Sequence, residues 1–204
     1  MKLFFKNKID GRKVLSKAKG YTIIETMIAV SLFIIIVMIG MEALLNANQL
    51  DNKSQNMRSI MDNMSFVMED MSKNLRTGTS YECIPPNGTL PILSSLMAHS
   101  GQGCGGVAFK PATGGALWIY YIGANPKNNL SIFKKVDTNP AVQLTPDDVS
   151  INSISGFSIL GAEPPPADNQ QPFIIIHLIG TIQYQKITTP FSLQTSVSQR
   201  QIDI

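Results

Sequence analysis

Gly20-Tyr21-Thr22-Ile23-Ile24-Glu25, with the run TMIAVSLFIIIVMIGM at 26–41 behind it, decides how the rest of this chain is read. Residues 26–41 hold no charged side chain. Residues 21–45 form a nearly continuous apolar stretch of Ile, Val, Met, Leu and Phe, close to the ~20 residues that an α-helix needs to span a hydrocarbon core. One carboxylate, Glu25, stands at its front edge. A charge at the centre of such a helix costs about 2.5–3.5 kcal/mol even on lenient insertion scales, so an acid in this segment marks a candidate functional site.

Ahead of that stretch, residues 1–20 carry six lysines and Arg12 against one acid, Asp10, a net charge of +6. The whole 204-residue chain is only +3, so everything after residue 20 is net −3. The basic pI belongs to the leader, and no nucleic-acid partner is expected from it. An excess of Lys and Arg before an apolar run keeps the N-terminus in the cytoplasm and sends the remainder outward. An ordinary secretory signal also joins a basic region to an apolar one. Three features disfavour it here: the length of the uncharged run, the acid at its front, and the lack of a clean small-x-small site nearer than Ala43 and Ala47.

A glycine, an aromatic residue and Thr22-Ile23-Ile24-Glu25 opening a long apolar helix together resemble the processing site of type IV prepilins and pseudopilins. The resemblance rests on residues 20–45. It implies cleavage after Gly20 by a membrane aspartyl prepilin peptidase, N-methylation of Tyr21, and assembly of the mature helix into a filament core. Spacing adds a role for Glu25. Four residues separate it from Tyr21, so its carboxylate lies on the face of the amine that cleavage would create. It can pair with its own amine or with that of a neighbouring subunit, which would set the register between helices. The plainer alternative is a carboxylate that snorkels to the cytoplasmic interface.

The helix is expected to outlast the membrane. From Leu45 to Arg76 there is neither Pro nor Gly, and Met57, Ile60, Met61, Met64, Met68, Met71 and Leu75 recur at helical spacing as one apolar stripe. Arg58 with Asp62 and Glu69 with Lys73 stand four apart, as exposed ion pairs would. Read as one helix, residues 21–76 reach roughly 84 Å at ~1.5 Å per residue. A Met stripe at this spacing reads as core. Gly78 ends it, and residues 77–106, rich in Ser, Gly and Pro, read as a loop. Cys83 and Cys104 fall in that loop on the outward side, where an oxidising exterior favours a disulfide. Closing it contributes roughly 3 kcal/mol in the loop-entropy description. With no CxxC spacing, the bridge reads as a staple.

Strands follow at 116–122 and Leu130–Val136 around a turn-rich connection, then at 151–160, 173–183 and 191–197. The fold class is therefore α+β, a long N-terminal helix packed on an antiparallel sheet. The segments are a basic leader at 1–20, a membrane or filament-core helix half at 21–45, an amphipathic half at 46–77, a loop with the cysteine pair at 78–106, and a β domain at 107–204. The helix segment 57–76 and the ending FSLQTSVSQR at 191–200 resemble J-type minor pseudopilins, which implies a low-copy subunit of a small complex that starts a filament.

No catalytic set stands out. His177 reads as a partly buried strand histidine, and His99 has no acid or nucleophile near it in sequence. Asp147-Asp148 caps a turn, and Lys134-Lys135 reads as a solvated charge pair. No cofactor or metal site is expected. Two functions remain: a minor structural subunit of a type IV pilus-like or type II secretion pseudopilus-like filament, or a membrane-anchored binding protein that reuses a pilin-type leader for export. The first implies other pilin-like subunits, the prepilin peptidase, an inner-membrane assembly platform and membrane lipid as partners. Its location would be the inner membrane, as a single pass with the C-terminal domain outside, and then the filament.

Overall fold

The computed structural model of the chain describes residues 20–112, 114–164, 166–184 and 187–200. Of the expected leader, residues 1–19 lie outside the described residues. The chain divides into two compact units, Met1–Gln49 and Leu50–Ile204.

Helix α1 is Ile23–Thr77, close to the expected 21–76. From its start to Leu50 every side chain is exposed, including Phe33, Ile36 and Met38, and the segment is long and apolar enough to cross a membrane once. Beyond that the helix is amphipathic. Ile60, Met64, Val67, Met71 and Leu75 are buried, at steps of four, three, four and four. Met57, Met61 and Met68 flank them, half-buried against the same core. Val67 belongs to the stripe although the methionine pattern passes over it. Arg58–Asp62 and Glu69–Lys73 do not close to ion-pair distance; among the described residues Lys134 bridges to the helix instead, at Asp70.

Gly78 ends α1 for a steric reason. A Cβ there would lie 2.5 Å from Cδ2 of Phe109, so only glycine lets the chain pass this close to the ring. The following Tyr81 locks the stop: its one hydroxyl proton is shared between the Leu75 carbonyl (2.5 Å) and the Gly78 carbonyl (2.6 Å), and the Leu75 carbonyl also accepts the Gly78 N–H (3.4 Å).

Ten strands follow. They are β1 Thr79–Ile84, β2 Gly101–Cys104, β3 Gly106–Lys110, β4 Trp118–Ala124, β5 Leu130–Val136, β6 Val142–Gln143, β7 Val149–Ile151, β8 Gly156–Leu160, β9 Phe173–Tyr184 and β10 Ile187–Ser198. The expected single sheet is two antiparallel sheets. One has the order β1-β3-β4-β5-β6; the other is β10-β9-β8-β2, with β7 also paired to β9. In the β4–β5 hairpin, β5 is the expected Leu130–Val136, and β4 runs two residues later than the expected 116–122. Asn125 Oδ1 accepts from the N–H groups of Lys127 and Asn129 (3.0 Å each), and Asn128 takes the left-handed conformation at φ 61°.

Two expectations need correction. The stretch 77–106 is not all loop, since β1 and β2 lie within it. Their sequences, TSYECI and GQGC, lack the β-branched alternation that marks a strand, and partners β3 and β8 supply the pairing. The expected strand 151–160 is broken in two by a turn at Asn152, whose carbonyl accepts the Ser155 N–H (3.0 Å) and whose Oδ1 accepts the Ile154 N–H (3.2 Å).

The buried stripe of α1 shares one core with both sheets: Tyr81, Phe109, Tyr120 and Ile132 from the first, Phe157, Ile159, Ile174, Ile176 and Leu178 from the second. Strand β9 alternates strictly, with its even-numbered residues buried from Ile174 to Ile182. The architecture is α+β, a long N-terminal helix packed on antiparallel sheets.

Candidate functional site

The start of α1 is built by Thr22. Its Oγ1 accepts the Glu25 N–H at 3.3 Å, and its carbonyl accepts the Thr26 N–H at 3.2 Å. Thr22-Ile23-Ile24-Glu25 thus has the spacing of a capping box, with a hydroxyl at the N-cap and an acid three residues on. Sequence reading found this acid through its cost in an apolar segment and missed its cap position. Behind it the helix hides its own hydroxyls: Thr26 Oγ1 donates to the Ile23 carbonyl and Ser31 Oγ to the Ile28 carbonyl, 2.8 Å each. The segment is therefore less polar than its sequence. Gly20, Tyr21 and Glu25 are all exposed, Tyr21 at 81%. No described side chain pairs with the Glu25 carboxylate.

The cysteines meet. Cys83 on β1 and Cys104 at the end of β2 form a disulfide with a Cα–Cα distance of 5.5 Å. Because β1 is the outer strand of the first sheet and β2 of the second, the bridge joins the two sheets covalently. Gly101 is required beside it, since a Cβ there would collide with Cys83 Sγ.

Three polar sites emerge only in three dimensions. The first is between α1 and the first sheet. The Tyr120 hydroxyl donates to Asp70 Oδ2 (2.8 Å), and Asn74 Nδ2 donates to Asp70 Oδ1 (2.9 Å) and to Tyr120 Oη (2.9 Å). Lys134 Nζ lies 3.4 Å from Asp70 Oδ2 and 4.1 Å from the centre of the Trp118 ring. Lys134 is thus a half-buried cation over an aromatic face, not the solvated charge expected beside Lys135. Burial first, then the hydrogen bond and charge of Asp70, push the Tyr120 hydroxyl far above the ordinary tyrosine range. The second site pins the loop. Glu163 accepts from the Ser100 N–H (2.8 Å) and hydroxyl (2.5 Å), and its Oε1 lies 3.5 Å from His99 Nδ1. These Ser100 bonds, more than His99, hold the Glu163 carboxyl below its usual range. Serine, histidine and acid are together, but the hydroxyl proton goes to the acid, so no nucleophile–base pair results. The third is Lys127 with Asp147, 3.0 Å apart on the surface, where Gln143 also donates to Asp147.

His177 is half-buried on β9. Among the described residues, no group of three or more His, Cys, Asp or Glu side chains gathers as metal ligands. The geometry of these clusters is that of staples between elements.

In comparisons with known proteins, no family model matches the chain, and no curated protein or solved structure matches it.

Proposed function

We propose that this chain is a minor structural subunit of a type IV pilus-like or type II secretion pseudopilus-like filament. The observation that carries the reading is Glu25, an exposed carboxylate in the first turn of a helix whose next turns are apolar on every side. A helix apolar all round needs either lipid or other helices about it. Before assembly it would sit in the inner membrane with its N-terminus in the cytoplasm and the β-containing unit outside. Prepilin peptidase would then cut after Gly20 and the Tyr21 amine would be methylated. On the assembly platform, the Glu25 carboxylate would receive the amine of a neighbouring pilin-like chain, neutralising two charges that are each costly in an apolar surrounding. The Cys83–Cys104 disulfide supports an outward-facing unit.

The capping geometry supplies a competing role for Glu25, and one pair of variants separates them. Glu25→Gln keeps a residue that can complete a capping box but removes the charge; Glu25→Ala removes both. If Glu25 pairs with an amine, both variants are processed, insert, and fail to enter sheared filaments. Normal incorporation of Glu25→Gln leaves Glu25 as a helix cap. Intact mass of membrane-extracted protein reads cleavage after Gly20, methylation and the disulfide together; a mature chain beginning beyond residue 45 overturns the assignment. Quantitative mass spectrometry of the same filaments is expected to find this chain at low copy number beside a more abundant pilin.

A further inference from the structure

The outer edge of β10 is the longest unpaired strand edge among the described residues. The Gln199 N–H donates toward the β9 side, to the Pro172 carbonyl (3.0 Å), and the Arg200 N–H turns the opposite way, to the Arg76 carbonyl at the end of α1 (2.8 Å). Backbone direction alternates along an antiparallel strand, so the N–H and C=O groups of Ser192, Gln194, Ser196 and Ser198 face away from β9. Pro190 shares that parity, and the donor it lacks is one that would face outward.

Natural proteins guard such edges with charge, proline or cover. Strand β10, ITTPFSLQTSVS, has no charged residue, and Pro190 guards only its first half. From Ser192 to Ser198 no strand pairs with this edge, and the end of α1 stands across a groove from its last three residues. Beside its last residues lies a groove of about 530 Å³, whose other wall is the end of α1 with Glu69, Lys73 and Arg76. Arg200 closes the same groove. Three exposed cations thus stand against one carboxylate.

We propose that this edge accepts an extended strand of another polypeptide, one carrying a carboxylate that meets Lys73, Arg76 and Arg200. Main-chain bonds to the four outward residues would supply affinity, and the basic wall of the groove would select an acidic segment over a neutral or basic one. The seven residues span about 24 Å at ~3.4 Å each, the length of an ordinary strand. The inference stands apart from the filament reading, since it concerns only the unit Leu50–Ile204 and holds for any acidic strand.

The test is amide exchange on the full chain in detergent, with and without an acetylated seven-residue peptide of alternating valine and threonine bearing a central glutamate. In the isolated chain the amides of Gln194, Ser196 and Ser198 are expected to exchange fast while those of Leu193, Thr195 and Val197 are protected. The peptide is expected to slow the first set by about tenfold or more. Gln194→Pro removes an outward donor, as Pro190 does, leaves the β9 pairing intact, and is expected to abolish the effect. Lys73→Glu with Arg200→Glu is expected to weaken it by about tenfold without touching the strand. The proposal is overturned if the outward amides are already protected in the isolated chain, or if millimolar peptide leaves them unchanged. It is equally overturned if a lysine-centred peptide protects them as well as the glutamate one does.

Discussion

Replacing Tyr120 with Phe removes one oxygen from the junction of α1 with the first sheet and leaves the ring in its stack with Phe109. That hydroxyl donates to the half-buried Asp70 carboxylate and accepts from Asn74. A hydrogen bond to a charged group contributes about 1.5–3 kcal/mol, and Asp70 keeps Asn74 and Lys134 as partners, so the expected loss near pH 7 is about 1.5–3 kcal/mol. For a unit of this size that lowers Tm by about 3–12 °C. The sign of the pH dependence follows from the raised Tyr120 pKa. In the unfolded chain tyrosine ionises near 10.0, while in the fold Tyr120 holds its proton well beyond that. Its contribution to stability is therefore complete below pH 10 and is lost as pH rises above it, whereas Phe has no proton to lose. The penalty of Tyr120→Phe should shrink by about 1.4 kcal/mol between pH 8 and pH 11. Urea unfolding in mild detergent measures both quantities through the single tryptophan, Trp118, which lies beside Lys134 in the same cluster. A penalty below about 0.5 kcal/mol at pH 7, or one that does not change up to pH 11, refutes the view that this network ties the helix to the sheet.

Removing both cysteines, Cys83→Ser with Cys104→Ser, should lower stability by roughly 3 kcal/mol. In the unreduced native protein, alkylation should label neither cysteine, and two labelled thiols would contradict the bridge. Glu163 has its carboxyl pKa lowered in the fold by Ser100, so its contribution is present above its unfolded value of 4.5 and is lost as pH falls through the lower folded one. Acid titration of Glu163→Gln and Ser100→Ala should therefore show a shallower loss of stability below pH 4.5 than the parent chain.

The sequence disclosed what is marked locally by period or composition. The stripe from Ile60 to Leu75 follows the helical turn, and β9 is a run rich in β-branched residues between turn signals, so both could be read before any contact was known. Strands β1 and β2 could not. They hold glycine, serine and cysteine, and pairing with β3 and β8 makes them strands. The helix stop was legible at Gly78, but its cause, the Phe109 ring, was thirty-one residues away in sequence. Glu25 and the cysteine pair stood out because each is chemically costly or reactive in its local setting. Asp70, Tyr120 and Lys134 did not, since each is ordinary where it sits and they matter only when brought together. The same is true of Glu163, the acid that His99 lacks in its own neighbourhood.

The covalent link between the sheets also has a mechanical side. Tension applied along α1 would pass through Gly78 into β1, where hydrogen bonds to β3 and the bridge to His99 would have to bear it in shear. The bond from Cys83 to Cys104 opens a second route, delivering part of the load to β2 and on to β8 and β9 in the other sheet. It also takes the chain between the two cysteines out of the path of the force, so that the apolar turn around Leu93–Ser95 could be pulled past without being stretched. A chain hauled by its helix would thus resist as two sheets together, and reduction would remove that covalent route into the second sheet.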